Sequence, residues 1–437
     1  MMKFRYANYR WYRNLHIAIT RNEEELMALY AFDGTWNSDE DEPTVDTNVV
    51  RFAELYKGRS VEYIAGVGTR FGKIGALFGG LFGSGGKTRI EEMYEELSSN
   101  WQNGDKEIDI IGFSRGAALA VHFANLIGER GVELADGNFD KSARVRFLGI
   151  WDMVGSFGLS FDTIIDFQSI NLGWNLSTLD VCVDNCYHAM AMDERREAFR
   201  VLRLDPGCSH ANVQEVWFRG VHSDIGGGNG EISRSNIALQ WMIEQARSCG
   251  IEFDDEKATA KRYSETNKFA PIFQNKDIQL DPRRERGADD IIHPTAHAVE
   301  LKVGESHQCK VSAKALYNWT GVRVVEDVTY VCEVVDVDGW KDGDVECGPD
   351  GWQSNELPWY QEGIVELAER LRREPDANWF ALIAALGDED DCLIYIGDQK
   401  APFQPSKSAD LYLFANDMRS KYGNNSGFLR VKITRTE

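Results

Sequence analysis

The sequence predicts two folded parts: a doubly wound, mostly parallel sheet with helices on both faces, followed by a smaller β-sandwich. The first part alternates apolar strand candidates with amphipathic helix candidates, an order typical of a parallel sheet. From residue 311 onward, short β-rich runs are separated by turn clusters, which is typical of antiparallel sheets. We therefore predict one domain over residues 1–306 and a second over residues 307–437 of the 437-residue chain.

The net charge of the chain argues against the recognition of some classes of binding partner by charge alone. It carries 70 acidic and 48 basic residues, a formal net charge of −22. This excess disfavours nucleic-acid binding through phosphate neutralisation and purely electrostatic docking on anionic lipid.

The eight cysteines include no C-x-x-C pair, which indicates reduced thiols. Residues 1–20 lack the apolar core of a Sec signal peptide. We expect synthesis in the cytoplasm, with export by a dedicated secretion system left open.

The elements of the first part follow from the spacing of apolar residues. Strands are predicted at 26–32, 61–65, 108–111, 144–151 and 214–221, and helices at 48–56, 87–101, 185–199 and 237–249. Thr47 is the expected N-cap of the first helix. Residues 254–307 are charged and contain prolines, so we interpret them as a peripheral extension and linker. In the second part, a helix is expected at 364–373.

One motif organises the first part. Residues 112–116 read Gly-Phe-Ser-Arg-Gly, which fits G-x-S-x-G between a strand and a helix, the pattern of a nucleophile elbow. The turn is so tight that its two glycines leave no room for a Cβ. It would place Ser114 above the sheet edge, at the start of a helix. The alternative is a structural serine in a glycine-rich turn.

A serine nucleophile needs a base and an acid that orients the base. In a parallel sheet these partners should follow other strands at the same edge. Asp152 and His222 both come directly after predicted strands, in the chain order Ser, Asp, His. We favour the triad Ser114–Asp152–His222 over one that uses Asp224 and His293. Asp224 has a second interpretation, as a residue that holds the His222 loop.

The oxyanion hole needs two donors. The N–H of Arg115, directly after the nucleophile, is the first candidate, and Gly34 or Thr35, after an earlier strand, supplies the second. Asp33 would orient that loop. The run Phe-Asp-Gly-Thr also resembles the haloacid-dehalogenase motif D-x-D-G-T, but Ala31 stands where the nucleophilic aspartate should be, which excludes that chemistry.

Two apolar stretches lie near these residues in the sequence. Residues 71–86 are rich in glycine, and residues 156–180 are irregular. Either could be a buried loop or a mobile lid that contacts lipid.

Residues 3 to about 297 resemble the uncharacterised α/β-hydrolase domain of type VI secretion phospholipase effectors. The matching stretches are AFDGTWN (31–37), TNV (47–49), GVGT (66–69), GFSRGAA (112–118), LGIWDMVGS (148–156), HAMAMDERREAF (188–199) and VWFRGVHSDIGGG (216–228). The resemblance implies hydrolysis of acyl esters, often of glycerophospholipids, by a serine triad. Met153 departs from the threonine usual in that family, which should matter little beside Asp152.

The C-terminal part resembles the soluble, calcium-dependent galactose-binding lectins of bacteria. The match lies in residues 416–433, NDMRSKYGNNSGFLRVKI, with weaker support from DGWQSNE and ALIAALG. The resemblance implies Ca²⁺ held by Asp417, the carbonyl of Lys421, Asn424 and Asn425, oxygen ligands that suit calcium. Asn355 takes the place of a tyrosine whose carbonyl is the remaining ligand. The alternative is a plain turn between strands.

Together these features predict a serine ester hydrolase, most consistent with a lipase or phospholipase that needs no cofactor for catalysis. The expected partners are an acyl-ester substrate, a membrane surface contacted peripherally, and a glycan, immunity protein or secretion apparatus. Two alternatives stay open. One is an esterase for non-lipid substrates, and the other is a binding protein that uses the lectin-like part on a hydrolase scaffold.

Overall fold

The computed structural model describes residues 27–34, 46–58, 60–64, 84–155, 176–196, 199–205, 211–230, 232–270, 272, 284–353 and 371–437. The chain forms two compact units. Unit 1 comprises Met1–Ala189, Val201–Glu215 and Leu239–Ser264, and unit 2 comprises Met190–Arg200, Val216–Ala238 and Glu265–Glu437.

A seven-stranded sheet organises the first half of the chain, in the order β2-β1-β3-β6-β7-β8-β9. Its strands are β1 (Ala28–Phe32), β2 (Ser60–Ile64), β3 (Ile108–Phe113), β6 (Val145–Trp151), β7 (Asn185–Ala191), β8 (Asn212–Phe218) and β9 (Ile291–Ile292); a separate hairpin pairs β4 (Val132–Glu133) with β5 (Phe139–Asp140). From β2 to β7 neighbouring strands pair in parallel. The order runs one way from β1 to β2 and the other way from β1 to β3, so the switch point of the sheet lies between β1 and β3. In open parallel sheets this is where sites form.

The helices of the described residues are α1 (Asn48–Leu55), α2 (Ser84–Gln102), α3 (Arg115–Arg130), α4 (His222–Gly226), α5 (Ile232–Ser248), α6 (Asp255–Ala258) and α7 (Lys261–Ser264), with a 3₁₀ turn at Pro294–Ala296. Thr47 caps α1, as predicted: its side chain accepts from the N–H of Val50. None of these helices is both long and apolar enough to cross a membrane.

The core of unit 1 forms where α3 packs on the sheet. All six residues of β3 are buried, as a central strand between two others requires. The first turns of α3 carry small side chains, among them Ala117, Ala118 and Ala120, which are also buried. Small residues let the helix approach the strands closely. Further along, Phe123 contacts Phe32, with ring centroids 5.4 Å apart.

Two predictions about this part are wrong. Residues 185–199 do not form a helix; instead, Asn185–Ala191 is strand β7, buried from Cys186 onward. Its alanines and methionines mimic a helix, but burial on both faces of a parallel sheet permits any apolar residue. Residues 254–307 are not merely peripheral: Tyr263, Ala270 and Ile272 are buried, and β9 pairs with β8 at the sheet edge.

Unit 2 contains the predicted β-sandwich. A five-stranded sheet joins β10 (Ser306–Ser312), β12 (Tyr330–Asp342), β13 (Val345–Glu346), β16 (Pro402–Phe403) and β18 (Asn425–Arg435), and a four-stranded sheet joins β11 (Asn318–Val324), β14 (Leu382–Leu386), β15 (Leu393–Tyr395) and β17 (Ala409–Ala415). Every pairing is antiparallel. The helix predicted at 364–373 lies mostly outside the described residues. The sandwich strands begin at Ser306, although unit 2 also includes earlier segments, and the boundary at 306/307 stays a prediction.

The four-stranded sheet is buried on both faces. Along β17, Leu411 and Leu413 belong to the core between the two sheets, together with Trp340 and Leu429. The alternate residues Tyr412 and Phe414 belong to a second apolar cluster, which also includes Val221 and Ile272. Because side chains alternate along a strand, this second cluster lies on the opposite face of the sheet. A segment of the first predicted domain therefore packs against it.

Candidate active site

Ser114 lies at the turn between β3 and α3 with a strained backbone. Its φ is 59° and its ψ is −127°, a conformation that residues other than glycine rarely adopt. Its N–H donates to the carbonyl of Trp151 at 3.0 Å, which fixes the turn to the neighbouring strand. Strain of this kind persists only where the surrounding structure enforces it, and it is concentrated at functional sites. The conformation is the one a nucleophile elbow requires.

The two glycines of the motif are sterically required. A Cβ on Gly116 would lie 2.3 Å from the carbonyl oxygen of Phe32, and one on Gly112 would lie 2.7 Å from the Cα of Ala117. Both obstacles are backbone atoms, which cannot move without shifting β1 or α3. The close approach of α3 to β1 thus depends on the absence of a side chain at Gly116.

We expect Gly116→Ala to destabilise the protein by about 3 kcal/mol or more, since overpacking against the backbone is among the costlier core changes. Thermal or urea unfolding measures this. Gly348→Ala is the matched control, because a Cβ there meets no atom within 4 Å. Equal stability of the two variants would contradict the tight contact.

The loop after β1 lies beside Ser114, as the prediction of an oxyanion hole requires. A Cβ on Gly34 would lie 3.0 Å from the Cβ of Ser114. However, the N–H of Gly34 donates to Oδ1 of Asp33 at 2.7 Å, so this donor is already engaged. Thr35, the alternative, lies outside the described residues. Arg115 is the first residue of α3, where the N–H groups have no partner within the helix.

Asp33 is the centre of a small polar network behind this loop. Its Oδ2 accepts from the hydroxyls of Tyr63 at 2.5 Å and Thr47 at 2.8 Å. Burial raises the pKa of Asp33 to about 6, against the opposing effect of these hydrogen bonds. The network fixes the end of β1 to β2 and α1. The role of Asp33 as the residue that orients the loop stays a prediction.

Asp152 directly follows β6, the strand next to β3, and is fully buried. It also has a positive φ, 39°, and its N–H donates to the carbonyl of Ala189 at 2.7 Å. The carbonyl of Trp151, the residue before it, accepts from the N–H of Ser114. The predicted nucleophile and the favoured acid therefore occupy adjacent strand ends within unit 1.

His188 supports the Asp152 loop, a role that the sequence did not indicate. Its Nε2 accepts from the N–H of Met153 at 3.1 Å, and its Nδ1 lies 2.9 Å from Oε1 of Glu215. An accepting Nε2 requires the proton on Nδ1, which donates to the carboxylate. The sequence pattern predicts a helix here, in which His188 would not follow a strand end. The unbroken apolar run around it, typical of a central strand, was the available signal.

His222 and Asp224 lie in unit 2, in and around the short helix α4. His222 is buried, and its N–H donates to Oε2 of Glu194 at 3.1 Å. Its ring contacts that of Phe199, with centroids 4.8 Å apart. Asp224 accepts from the N–H of Val221 at 2.9 Å and from the side chain of Asn229 at 2.8 Å. Both of its oxygens thus hold the loop, and burial raises its pKa to about 6.

His293, the alternative base, caps the 3₁₀ turn that follows β9. Its Nδ1 lies 2.8 Å from the hydroxyl of Thr295, and its ring stacks on Phe218 at a centroid distance of 4.5 Å. Burial lowers its pKa to about 4, with a further contribution from His297. Such a histidine stays neutral at physiological pH, and its contacts are those of a structural residue.

The predicted calcium ligands in unit 2 include two buried oxygens without a hydrogen-bond partner. Within the part of the chain that the structure describes, neither Oδ2 of Asp417 nor Oδ1 of Asn425 is paired. Buried polar atoms are rarely left unpaired, and an ion not shown is one explanation. Burial and the negative charge of Asp342 raise the pKa of Asp417 to about 7. Carboxylate and amide oxygens are ligands that calcium prefers, so the donor types of these residues fit calcium.

The other predicted ligands are placed less clearly. Asn424 donates from its side-chain amide to Oδ1 of Asp342 at 3.0 Å, and the carbonyl of Lys421 accepts from the N–H of Asn424 at 3.1 Å. Asn355 lies outside the described residues. In the described ranges, no cluster of three or more His, Cys, Asp or Glu side chains could hold a metal. Amide and carbonyl oxygens would therefore have to complete a site around Asp417.

A strained serine between a parallel strand and a helix, with a second strand end beside it, defines the class of α/β-hydrolases. Residues 28–138 and 133–245 match a family model described as the catalytic domain of Tle1-like phospholipase effectors of the type VI secretion system. This part of the chain belongs to that family, whose members are hydrolases exported by a dedicated secretion system. The predicted family is thereby confirmed for the N-terminal part.

Comparison with solved structures gives weaker likenesses. The chain is similar to the Tle1 effector bound to the VgrG spike from the type 6 secretion system, at 17% identity over 56% of this chain and 77% of that chain, with a TM-score of 0.42. It is also similar to the RedJ thioesterase from Streptomyces coelicolor, at 14% identity over 54% of this chain and 98% of that chain, with a TM-score of 0.26. The EclA N-terminal domain, a PllA-like lectin, matches at 22% identity over 30% of this chain and 95% of that chain, with a TM-score of 0.22. At these TM-scores the likenesses carry no further argument. No curated protein matches the chain.

Proposed function

We propose that this protein is a serine ester hydrolase that cleaves acyl esters of phospholipids or related lipids. The observation that carries the proposal is the strained backbone of Ser114, held by the glycines of the motif and flanked by Gly34. A protein has no structural need for a serine with a positive φ at the start of a helix, where glycine would fold more easily.

The proposed mechanism assigns one role to each residue of the triad. The Oγ of Ser114 attacks the ester carbonyl while His222 takes its proton, and His222 then returns the proton to the leaving alcohol. Asp152 orients His222 and balances its positive charge. Water then hydrolyses the acyl-enzyme by the same sequence of proton transfers. The amides of Arg115 and of the loop at Gly34 are the proposed oxyanion donors.

In this proposal the loop after β1 must move before it can serve as an oxyanion donor. The N–H of Gly34 is bonded to Asp33, so it has to turn towards the substrate or leave the role to Thr35. Catalytic hydrogen bonds often tighten only when substrate binds. Asp33 itself stays in place through Tyr63 and Thr47.

Family membership supports a phospholipid as substrate and a secretion apparatus as partner. The matching family model describes effectors of the type VI secretion system, and we propose a contact with that delivery machinery for this chain. An immunity protein that blocks the site, and peripheral contact with a membrane, belong to the same proposal. Nucleic acid does not, given the net charge of −22.

The test is acyl-chain release from p-nitrophenyl esters of increasing length and from phospholipids. Turnover that is greatest on long-chain phospholipid supports the lipase. Turnover on short esters alone would favour the alternative, an esterase for non-lipid substrates. No turnover, together with no labelling of Ser114 by a fluorophosphonate, would favour a binding protein on a hydrolase scaffold.

We further propose that the β-sandwich, residues 307–437, binds calcium and through it a glycan. The two unpaired oxygens of Asp417 and Asn425 support the calcium part of this proposal. Asp342 adds a second negative charge close to Asp417, which would strengthen the hold on a divalent ion. Bound calcium would offer open coordination positions to sugar hydroxyls.

We expect Ca²⁺ to stabilise the wild-type protein but not Asp417→Asn. A ligand at about 100 times its dissociation constant stabilises the folded state by about 2.7 kcal/mol. Thermal unfolding with Ca²⁺ or EDTA measures the shift, and calorimetry measures binding directly. Asp336→Asn is the control, because this exposed residue on β12 forms only a loose pair with Arg430 at 3.8 Å. An equal calcium shift in all three proteins would contradict the site.

A further inference from the structure

Arg219 directly follows β8, three residues before His222 in the chain, and its side chain is 11% exposed. Its Nη1 donates to Oδ1 of Asp193 at 2.8 Å and to the hydroxyl of Tyr412 at 3.0 Å. Its Nη2 donates to Oδ2 of Asp410 at 2.5 Å. Its guanidinium also lies 4.6 Å from the ring centroid of Trp319, close enough for a cation–π contact.

Three of these four partners belong to the sandwich. Asp410 and Tyr412 lie on β17 and Trp319 lies on β11, adjacent strands of the four-stranded sheet. The indole N–H of Trp319 donates to Oδ2 of Asp410 at 3.0 Å, which fixes the carboxylate that holds Arg219. On the outer face of this sheet, Asp410, Tyr412 and Trp319 therefore bind one guanidinium, and we call these three residues the socket.

The charges in the socket favour a permanently charged arginine. Burial alone would lower the pKa of Arg219, but the carboxylates of Asp193 and Asp410 raise it above its usual value. The planar fork of a guanidinium can reach three acceptors at once, whereas a lysine is a point charge. Removing Asp410 would leave the largely enclosed charge of Arg219 with one carboxylate instead of two, which should destabilise this contact.

The fourth partner connects the socket to the His222 loop. Asp193 accepts from the N–H of Gly220 at 2.7 Å and donates its own N–H to the carbonyl of Gly220 at 3.0 Å. The next residue, Glu194, accepts from the N–H of His222 at 3.1 Å. Between them, Val221 packs in the apolar cluster with Trp319 and Tyr412. Arg219 and Val221 thus contact the sandwich face directly, while Gly220 and His222 are held by Asp193 and Glu194, of which Asp193 is bonded to Arg219.

We propose that the β-sandwich positions His222, with Arg219 and Asp410 as positioning residues. This inference rests on the proposed function, in which His222 is the base. It makes the sandwich part of the catalytic apparatus as well as a binding module. The sandwich is then required even for small, soluble esters that need no docking surface.

The test compares three full-length variants. Asp410→Asn removes the charge that holds Arg219, and Trp319→Phe removes the N–H that fixes Asp410 while keeping an aromatic ring. Arg323→Gln is the matched control: this half-exposed arginine contacts the other oxygen of Asp410 at 3.6 Å and does not touch Arg219. Thermal unfolding first establishes that each variant is folded.

We expect kcat for p-nitrophenyl butyrate to fall about 10- to 100-fold in Asp410→Asn, since small misplacements of a catalytic group have effects of this size. KM should stay within about twofold of wild type, because a displaced base affects chemistry rather than binding. Trp319→Phe should show a smaller loss of kcat, and Arg323→Gln should match wild type. Unchanged kcat in folded Asp410→Asn would overturn the inference.

Hydrogen exchange provides a readout that does not depend on activity. The amides of Gly220, Val221 and His222 are hydrogen-bonded, so they should exchange at least about tenfold faster in Asp410→Asn and at the wild-type rate in Arg323→Gln. If the wild type hydrolyses no ester but these amides exchange faster in Asp410→Asn, the positioning role is supported and the proposed function is rejected. If the wild type is active but the amides exchange at the same rate in Asp410→Asn, the positioning role is rejected and the proposed function is supported.

Discussion

Replacing Ser114 with alanine should lower the rate of acyl-ester hydrolysis by about 10⁵-fold, the scale reached when the nucleophile of a serine triad is lost. The variant should fold, because Ser114 makes no side-chain cap for α3 and alanine meets the same backbone restriction at a φ of 59°. Release of fatty acid from phospholipid, followed for both proteins at equal concentration, measures the loss.

Ser98 provides the control for this substitution. It is a buried serine of α2 whose hydroxyl has no hydrogen-bond partner among the described residues, so Ser98→Ala should keep full activity and stability. Ser114→Gly offers a second check: it should be inactive but more stable than Ser114→Ala by about 1 kcal/mol, because glycine relieves the positive φ. Residual turnover of Ser114→Ala near the wild-type rate would reject the serine mechanism.

Neutralising Asp152 should lower kcat by about 10⁴-fold, the scale found when the acid of a serine triad becomes an amide. Asparagine tolerates a positive φ better than other residues, so the backbone at 39° should persist in Asp152→Asn. The reason for the loss is that an amide cannot stabilise the imidazolium or fix its tautomer. The pH profile of kcat/KM should change with it.

Asp224→Asn is the matched comparison, since Asp224 was the alternative acid. Its two oxygens accept hydrogen bonds from the N–H of Val221 and the side chain of Asn229. In Asp224→Asn the new NH₂ group would face one of these donors, so one hydrogen bond would be lost. We expect a lower melting temperature and a kcat about 10- to 100-fold below wild type, because the His222 loop is loosened, against about 10⁴-fold for Asp152→Asn. If kcat falls more in Asp224→Asn than in Asp152→Asn, Asp224 is the acid of the triad and Asp152 is not.

The role of Asp410 extends this comparison beyond the loop. In the proposed arrangement Asp152 acts on the imidazole, whereas Asp410 acts on the backbone that carries it, through Arg219. A change at Asp410 should therefore lower kcat and leave the pH profile of kcat/KM as it is in the wild type. A change at Asp152 should alter both kcat and that pH profile. The contrast separates an acid of the triad from a residue that positions its loop.

Much of the architecture could be predicted from the sequence because it depends on local patterns. Short segments rich in apolar residues located strands β1, β3, β6 and β8. The two glycines around Ser114 predicted a turn without room for a Cβ, and the contacts of Gly112 and Gly116 confirm it. The antiparallel sandwich followed from short β-rich runs and turn clusters. Each of these features is encoded in neighbouring residues.

The failures have a common physical cause. His188 was assigned to a helix because its neighbours favour one locally, yet burial between two strands overrides propensity. The strands Leu382–Leu386 and Ala409–Ala415 lie in a sheet whose two faces are both covered, whereas the sequence analysis predicted only a sandwich. Local patterns do not show that a sheet has a second covered face. They could not indicate what covers the second face. That depends on residues almost 200 positions away.

The sequence by itself determined the tight strand–turn–helix connection at Ser114, the succession of parallel strands and the sandwich, since periodicity and turn chemistry act over short distances. It also determined the family. Only the tertiary structure decided that the N–H of Gly34 is held by Asp33, that Asp224 holds its own loop, and that His222 belongs with the sandwich. The physical reason is that hydrogen bonds of buried polar groups are satisfied by whichever partner the fold brings near. Arg219 meets Asp410 across 191 residues of chain, and no local pattern records that contact.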